Sequence, residues 1–534
     1  MTHPLVRPML IGLSALALGW GWSALGFLCD DAYIAFRYIS NSQLGHGYTW
    51  NAPPFEPVEG YSSFLWVFLL DWIWTLTGVQ PPEASQPLGL LFGFVQLACV
   101  VSLVDALTLP NLSRERPWAR NAVLAVVLLG TLTNRTFLAW TSSGLETSMF
   151  DAFLLCWVVA GVRNRPFLLA FFAACLELSR PDGLLFCAAS VPLVLLMRPD
   201  RAIRSLSPLL VPVAHEIWRI ATYGALLPNT YYAKVAAPWP EMGAAFLGTF
   251  VLENGWWLLL PLVPLGLLYL WREWRVAGDP TWPGTWVRVG LAATLGFHIA
   301  YYTFRIGGDH FDFRIYAWTV PLVWIGAFWT LDRLAVRPGR LFGWLLATWF
   351  VGLWLPWTLW AKTHHITERR TEGMPTHDLA PYFPWPVKPL AIAFDALQDY
   401  TISHFVGMRT QTHIIYLGYQ KSRFPTREEG EQIRGGNPVL RHTSVGYPAW
   451  TLPHVHIIDE YGLNDPIIAR NPEPRRRKAR LMAHERQPPK GYVDCFRPNV
   501  RFDKRGKRVR ATSRTLSDDD IVRCQQRGWD ALTP

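Results

Sequence analysis

Two adjacent carboxylates, Asp30 and Asp31, follow directly after the first long apolar run. A charged pair at the mouth of a membrane span is costly unless it faces water or a partner. On a helix that starts here, Asp30, Tyr33, Arg37 and Asn41 share one stripe, and Asp31 points about 100° away from Asp30. A carboxylate in this place could act as a general base, act as a nucleophile, or cap the helix, and the sequence leaves these alternatives open.

Further polar residues interrupt the later apolar runs and collect in four short turns. Carboxylates there could bind hydroxyl groups or cations, and arginine or lysine could hold a phosphate. The alternatives are helix caps or arginine partners for the carboxylates, and cations that reach toward the membrane surface, above all Lys234. The candidates are Glu146, Arg180, Asp182, Asn229, Tyr232, Lys234, Arg305, Asp309, His310 and Arg314.

A metal site is one alternative for some of these side chains. The donor set of Asp30, Asp31, Asp309 and His310 suits a hard divalent cation, Mg²⁺, Mn²⁺ or Ca²⁺. Its spacing matches no motif such as His-Glu-x-x-His, and a lone histidine at the mouth of a span is more often a hydrogen-bonded core residue. The sequence therefore requires no cofactor and leaves a divalent cation open.

The composition places these residues in a membrane protein. Of the 534 residues, 17% are charged, compared with about 25% in soluble domains. Apolar runs of about 20 residues recur between residues 8 and 360, and such runs can cross a bilayer. We expect a polytopic α-helical membrane module over 1–360 and a soluble extracytoplasmic domain over 361–534. The net charge of +10 does not imply nucleic acid, because short loops and the run 475–478 carry much of it, where topology or anionic lipid explains it.

Arginine clusters predict the orientation of the spans, because cytoplasmic loops are enriched in Lys and Arg. Arg7 precedes the first run, and the later clusters lie at 114–120, 163–165, 198–204, 272–275 and 333–340. Two apolar runs lie between each neighbouring pair of these later clusters, which predicts four hairpins. Their runs are 121–138 with 146–162, 167–179 with 183–197, 205–222 with 246–271, and 286–304 with 315–331.

Three single crossings complete the count, at 9–27, 86–107 and 341–360. The Trp-rich run 61–79 is expected to lie at the membrane interface, so that residues 29–85 form a first periplasmic loop with juxtamembrane helices. The total is about 11 crossings, with the N-terminus inside and the C-terminus outside. All four polar turns then lie on the outer face.

The C-terminal part is expected to be a small α/β domain, with short apolar strands at 413–416 and 454–458. If it lies outside the cytoplasm, Cys495 and Cys524 can form a disulfide. The cysteines within apolar runs are expected to be small core residues; they are Cys99, Cys156, Cys175 and Cys187.

The first loop resembles that of the GT-C membrane glycosyltransferases, which use polyprenyl-phosphate sugars. The match is to the terminal arabinofuranosyltransferase family of the mycobacterial cell wall and its relatives. The motifs are Asp-Asp-Ala-Tyr at 30–33, Phe-Arg-Tyr at 36–38, Gly-His-Gly at 45–47, Trp-Asn at 50–51 and Glu-Gly-Tyr at 59–61. The four polar turns match further motifs in order, and residues 458–470 resemble a C-terminal signature. Ala483 stands before His484 where relatives keep glycine, and the stretch 418–452 departs most from the pattern.

This resemblance implies an enzyme of the bacterial inner membrane with a GT-C fold and a periplasmic active site. It implies a polyprenyl-phosphate donor, whose sugar is arabinofuranose on the resemblance alone, and an acceptor hydroxyl on a cell-envelope glycan or a surface protein. Asp30 and Asp31 would be the catalytic carboxylates, with Asp30 facing the sugar. The donor phosphate would be bound by Arg37, Arg180, Lys234, Arg305 and Arg314. Substrate contacts would come from Tyr33, His46, Glu59, Tyr61, Glu146, Asp182, Asn229, Tyr232, Asp309 and His310.

Three other functions remain as alternatives. A transferase of a polyprenyl-phosphate hexose such as mannose would need the same site. A transporter of lipid-linked sugar would place its charges near the midplane and often shows inverted repeats, neither of which is visible here. A membrane scaffold would leave the clustered acids and arginines without a role. No phosphate loop or Gly-x-Gly-x-x-Gly pattern follows a strand, which disfavours a nucleotide-sugar donor.

Overall fold

The structure, a computed structural model, describes residues 5–113, 118–234, 237–277, 283–366, 378–473, 480–502, 509–512 and 514–532. Two of the arginine-rich stretches lie outside the described residues: Arg114 to Arg116 in the first interior cluster, and Arg475 to Lys478 in the tail.

Helices follow one another almost without interruption from residue 6 to residue 363. Most are joined by turns of a few residues, so neighbours in sequence pack as neighbours in space. The α-helices are Val6–Ala24, Ala32–Gln43, Phe64–Thr77, Pro81–Ala106, Pro110–Ser113, Ala119–Leu132, Arg135–Ala139, Thr147–Val162, Pro166–Ser179, Leu184–Met197, Ala202–Leu206, Leu210–Tyr223, Asn229–Lys234, Pro240–Glu253, Leu262–Ala277, Pro283–Ala300, Thr319–Arg333 and Pro338–Thr363.

Helices occupy the predicted apolar runs, and two of the runs are divided. The run 121–138 is divided between the helices Ala119–Leu132 and Arg135–Ala139. The run 246–271 is divided between the helices Pro240–Glu253 and Leu262–Ala277. Gly255 lies at the break with φ +68°, and a side chain there would come within 2.9 Å of the backbone of Gly352. The lack of a side chain therefore lets the chain turn against the helix Pro338–Thr363. The run 61–79 forms the separate helix Phe64–Thr77.

Among the described residues, two helices combine the length and apolar composition needed to cross a membrane, Pro81–Ala106 and Pro338–Thr363. Pro181–Met197 and Pro199–Tyr223 also qualify as one span that is bent by 118°. The helix Leu210–Tyr223 exposes Leu210, Val213 and Ile217, as lipid contact requires. The chain is therefore a helical protein with membrane-spanning character, and the total of about 11 crossings stays a prediction.

The C-terminal part is mainly helical and carries two small sheets. Its helices are Lys388–Ser403, Thr410–Arg423, Arg427–Gly430, Gly446–Thr451, Pro466–Arg470, Tyr492–Cys495 and Asp518–Asp530. The strands Val439–His442 and His456–Asp459 pair in parallel, with Val439 opposite His456, and Val500–Phe502 pairs antiparallel with Val509–Ala511. A disulfide joins Cys495 to Cys524, as expected from the sequence.

The strand expected at 413–416 is wrong, because these residues lie in the helix Thr410–Arg423. A four-residue apolar run is compatible with either structure, and its neighbours here continue a helix. The strand expected at 454–458 is found at His456–Asp459.

One hydrophobic core crosses the division expected at residue 360. Phe27 and Trp140 belong to the same cluster of buried side chains as Val406, Trp450 and Ile457. The C-terminal part therefore packs directly against the preceding helices rather than standing apart from them.

Arg37 joins these two parts of the chain. Its side chain is 1% exposed and lies on the helix Ala32–Gln43. The guanidinium donates to five backbone carbonyls: Trp50 at 3.0 Å, Ala449 at 3.2 Å, and Leu452, Pro453 and Val455 at 2.9 Å. Burial without a carboxylate partner lowers its pKa to about 9, so it stays charged at neutral pH. The expectation that Arg37 binds phosphate does not agree with this position, because its donors are already used.

Arg37→Lys should therefore destabilise the protein. Lysine offers three donors on one nitrogen and leaves at least two buried carbonyls unpaired, at about 1–3 kcal/mol each. We expect the free energy of unfolding to fall by about 3–5 kcal/mol, measured by thermal unfolding in detergent. Arg441→Lys is the matched control, since that side chain is 56% exposed. If Arg37→Lys instead had normal stability and bound a lipid-phosphate donor more weakly, the expectation that Arg37 binds phosphate would hold.

Candidate active site

Four segments meet beside the start of the helix Ala32–Gln43: the residues before it, the turn 307–313, the start of the helix Thr410–Arg423, and residues 482–485. Backbone bonds hold the second and third together, since Met408 N donates to His310 O at 2.8 Å and Asp312 N donates to Met408 O at 3.1 Å. Side chains from the two ends of the sequence therefore share one site.

A buried ion-pair network fixes this meeting point. Arg409 Nη1 lies 2.8 Å from both Glu253 Oε2 and Asp312 Oδ1, and Arg135 Nη2 lies 3.2 Å from Asp312 Oδ2. Two guanidinium groups thus balance two carboxylates, which offsets much of the cost of burying them. Asp312 is consequently a structural residue of the turn.

Neither of the adjacent carboxylates caps the helix Ala32–Gln43. Asp31 is the N-cap residue, but its side chain accepts no capping hydrogen bond. Asp30 is 6% exposed, and its Oδ1 accepts a hydrogen bond from Tyr447 N at 2.8 Å. Burial raises the pKa of Asp30 to about 7, partly offset by this bond. Asp30 therefore ties the first loop to the C-terminal part, whereas Asp31 is half-buried and makes no capping hydrogen bond.

Three histidines lie close to Asp31. Its charge acts on His310, His413 and His484, but burial dominates and lowers their pKa values to about 4, 4 and 3. All three imidazoles are therefore neutral at pH 7. Of these, His310 was expected from sequence, and His413 and His484 come from the C-terminal part.

Beyond the histidines lie two arginines that are already paired. Arg314 binds Asp309 with both ends of its guanidinium, at 2.9 and 3.4 Å. Arg180 lies 3.0 Å from Asp182 Oδ1 and 3.3 Å from Glu146 Oε1. Although burial opposes it, these cations hold the pKa values of Asp309 and Asp182 below their usual range. This network keeps the carboxylates of Asp182 and Asp309 ionised.

Two further cations have no such partner. Within the described part of the chain, neither Lys234 nor Arg305 forms an ion pair or hydrogen bond, and both are half-buried. The charge of Lys234 acts on Asp309 and His484, and that of Arg305 acts on Tyr301. These two cations are the ones available to an anionic ligand.

A small pocket beside Arg180 adds residues that the sequence did not single out. It is lined by Thr147, Phe150, Asp151, Arg180, Asp182, His298, Arg314, Ile315 and Trp318. His298 Nε2 lies 2.8 Å from Asp182 Oδ2, and Asp151 is 3% exposed. The sequence could have indicated both residues, because each is a lone polar residue inside an apolar run. A polar residue in such a place in a membrane helix is a functional candidate by default.

The remaining expected substrate contacts lie elsewhere or serve the fold. Glu59 binds Arg219 at 2.7 Å, and Asn229 Nδ2 donates to the carbonyls of Gly462 and Leu463. The first pair holds the first loop against the helix Leu210–Tyr223, and the Asn229 bonds hold the segment 228–234 against the C-terminal signature. Tyr61 Oη lies 3.3 Å from Tyr223 Oη, and the ring of Tyr33 packs edge-on against Tyr447. The guanidinium carbon of Arg470 lies 4.3 Å from the centroid of the Tyr232 ring, and His46 is exposed at the surface.

The sequence leaves a divalent cation open, and this alternative stays a prediction. Over the described ranges, no group of three or more His, Cys, Asp or Glu side chains is arranged to hold a metal ion. Of the four candidate donors, Asp30 Oδ1 accepts a hydrogen bond from a backbone N–H, and Asp309 binds Arg314.

Comparisons with known proteins confirm the resemblance carried by the motifs. The chain is similar to the terminal beta-(1->2)-arabinofuranosyltransferase of Mycobacterium tuberculosis, with 30% identity over 397 residues that cover 65% of this chain and 60% of that protein. It is also similar to the protein of the same name from Corynebacterium glutamicum, with 24% identity over 538 residues that cover 88% of this chain and 75% of that protein. The first match thus spans less than two thirds of the mycobacterial relative. No family model matches the chain.

Among solved structures, the fold is similar to that of ArnT from Cupriavidus metallidurans bound to undecaprenyl phosphate. The TM-score is 0.47 at 11% identity, and the match covers 85% of this chain and 86% of that chain.

The position of Asp30 predicts a pH-dependent stability difference. Its pKa is about 7 in the fold and about 3.9 in the unfolded chain, so its contribution to stability is present below pH 4 and is lost as the pH rises through 7. Asp30→Asn keeps the acceptor for Tyr447 and removes this titration. We expect the stability of the variant relative to wild type to rise by about 1–4 kcal/mol between pH 4 and pH 8.

Thermal unfolding in detergent across this pH range measures the difference. Asp494→Asn, at a side chain that is 83% exposed, is the control for adding an amide. A difference between Asp30→Asn and wild type that stays constant with pH would contradict a buried, partly protonated Asp30.

Proposed function

We propose that this protein is a membrane glycosyltransferase that moves arabinofuranose from a polyprenyl-phosphate donor to a hydroxyl of a cell-envelope glycan or surface protein. The names of the two relatives support the reaction class and the sugar. This proposal includes the donor lipid, the acceptor, and an inner-membrane location with an extracytoplasmic site. It also includes the division into a membrane module over 1–360 and an outer domain over 361–534.

One observation carries the proposal: the charge of the half-buried carboxylate Asp31 acts on three neutral imidazoles, and the charge of Lys234 also acts on one of them, His484. Glycosyl transfer needs a carboxylate at the reacting carbon or hydroxyl, and positive charge where the phosphate leaves. Arg180 and Arg314 are neutralised by carboxylates, so Lys234 and Arg305 supply the net positive charge for the phosphate.

The reaction then divides between these groups. The acceptor oxygen forms a bond to the anomeric carbon of the sugar while the bond from that carbon to the phosphate oxygen breaks. In this single step, which inverts the configuration, Asp31 takes the proton of the acceptor hydroxyl. A transfer that retains the configuration needs two steps: Asp31 first displaces the phosphate from the anomeric carbon, and the acceptor oxygen then displaces Asp31 and gives its proton to the released phosphate. The phosphate leaves with the electron pair of the broken bond, and Lys234 and Arg305 stabilise its added negative charge.

Asp31→Asn tests the chemical role. The amide keeps the size of the side chain but loses its charge and basicity, so we expect turnover to fall by ~100-fold or more with donor binding and folding kept. The assay incubates purified protein with polyprenyl-phosphate arabinofuranose and follows transfer and donor hydrolysis. Asp30→Asn is the matched control, because it makes the same change at the neighbouring carboxylate, which we assign to the fold. We expect it to lose less turnover than Asp31→Asn.

Near-normal turnover of Asp31→Asn at saturating donor would remove the centre of the proposal. Wild-type protein that turns over polyprenyl-phosphate mannose faster than the arabinofuranose donor would instead establish a hexosyltransferase. Failure of the wild-type protein to transfer or hydrolyse either sugar would reject the enzyme altogether.

Lys234→Ala and Arg305→Ala test the phosphate role. Each removes a charge-assisted contact worth ~1.5–3 kcal/mol, so we expect affinity for polyprenyl phosphate to fall by roughly tenfold or more. Arg340→Ala is the control, because Arg340 is exposed and belongs to a cluster predicted to lie on the cytoplasmic side. Unchanged affinity of both variants, measured with the bare lipid phosphate, would exclude these cations as the phosphate site.

A further inference from the structure

The three histidines beside Asp31 come from separate parts of the chain and form one wall. His310 lies in the turn 307–313, His413 in the helix Thr410–Arg423, and His484 beyond residue 480. The ring centroids of His310 and His413 are 5.8 Å apart, and those of His310 and His484 are 5.4 Å apart. We call His310, His413 and His484 the imidazole wall.

Hydrogen bonds set the tautomer of two of these rings. His310 Nδ1 lies 2.8 Å from Phe405 O, and His484 Nδ1 lies 2.6 Å from Met482 O. A carbonyl oxygen only accepts, so Nδ1 must carry the hydrogen in both rings. In a neutral imidazole this leaves Nε2 as a lone-pair acceptor.

The Nε2 atom of His413 also has no hydrogen-bond partner among the described residues, although no carbonyl fixes the tautomer of this ring. The residue is 7% exposed, its Nδ1 lies 4.0 Å from Cys29 Sγ, and its Nε2 is buried with no hydrogen bond to any described residue. A buried polar atom without a partner is costly, and such atoms in native proteins are usually satisfied by a ligand or water. This orphaned nitrogen faces the same neighbourhood as Asp31, since the charge of Asp31 acts on the ring.

Burial keeps all three rings neutral between pH 5 and pH 8, because it lowers their pKa values to about 4, 4 and 3. The imidazole wall and Asp31 then offer hydrogen-bond acceptors without an ammonium or guanidinium among them. An anion such as a phosphate gains nothing from such a surface. Metal ions also bind to lone pairs, but within the described ranges no three ligating side chains are arranged to hold a metal ion.

We propose that the imidazole wall binds hydroxyl groups of a sugar, with His413 Nε2 forming a hydrogen bond to one of them. Hydroxyls are neutral donors, and they match a surface of acceptors beside a carboxylate. This inference rests on the proposed function and adds which side chains recognise the sugar. The sugar is either the pentose of the donor or the terminal unit of the acceptor, and the test separates the two.

His413→Phe removes Nε2 and keeps a planar ring, whereas His413→Gln places an amide near the position of Nε2. In the donor arm, binding of polyprenyl-phosphate arabinofuranose is compared with binding of bare polyprenyl phosphate. In the acceptor arm, KM is measured for an arabinose-terminated oligosaccharide. We expect His413→Phe to weaken one of these sugar-dependent values by tenfold or more, to leave the bare lipid within twofold, and to be largely rescued by His413→Gln.

His484→Phe provides a second variant in case His413→Phe does not fold, with the same expectation. Unchanged donor affinity and acceptor KM in folded variants would overturn the inference, and so would an equal loss for the bare lipid. A chelator that abolishes the wild-type preference for the sugar would also overturn it, in favour of a metal. The proposed function fails separately, if wild-type protein prefers the sugar-bearing lipid yet neither transfers nor hydrolyses it.

Discussion

The hydrogen bonds of one buried cation, Arg37, hold the two parts of this molecule in register. Its guanidinium has no carboxylate partner and is satisfied by five carbonyls, four of them in the segment 449–455. Because a planar guanidinium donates in fixed directions, these carbonyls must adopt one arrangement. The helix Ala32–Gln43 is thereby fixed relative to the C-terminal part, and with it Asp31 relative to the imidazole wall.

The charged groups around the site are of two kinds: those that are paired within the fold and those that are not. Arg409 and Arg135 are matched by Asp312 and Glu253, and Arg314 is matched by Asp309. Such pairs are costly to break, because the remaining charge would be buried alone. The groups outside these pairs differ in kind: acceptors lie on the side of the histidines and cations on the side of residues 234 and 305. A ligand with hydroxyls at one end and a phosphate at the other fits this polarity.

The sequence predicts much of this architecture but not the partners of individual side chains. Apolar runs of span length place the helices within a few residues, but they do not show that the runs 121–138 and 246–271 are each divided between two helices. The second break depends on tertiary packing, through the close approach of Gly255 to Gly352. The site turns were found because polar residues between apolar runs are rare. The partners of Arg37 could not be predicted, because four of its five carbonyls lie in a stretch without a recognisable motif. Helical spacing predicts a shared face for Asp30 and Arg37, but not the hydrogen bond that Asp30 Oδ1 accepts from Tyr447 N.

The distance along the chain between Arg37 and its partners has a consequence for biogenesis. Four of the five carbonyls are 412 to 418 residues downstream. At ribosomal rates of about 5–20 residues per second, they are synthesised roughly 20–80 seconds after Arg37. During that interval the guanidinium of Arg37 stays hydrated, because the carbonyls that bury it have not yet been synthesised. A prematurely terminated chain would never bury it, so the same bonds that assemble the site also distinguish a finished polypeptide from an unfinished one.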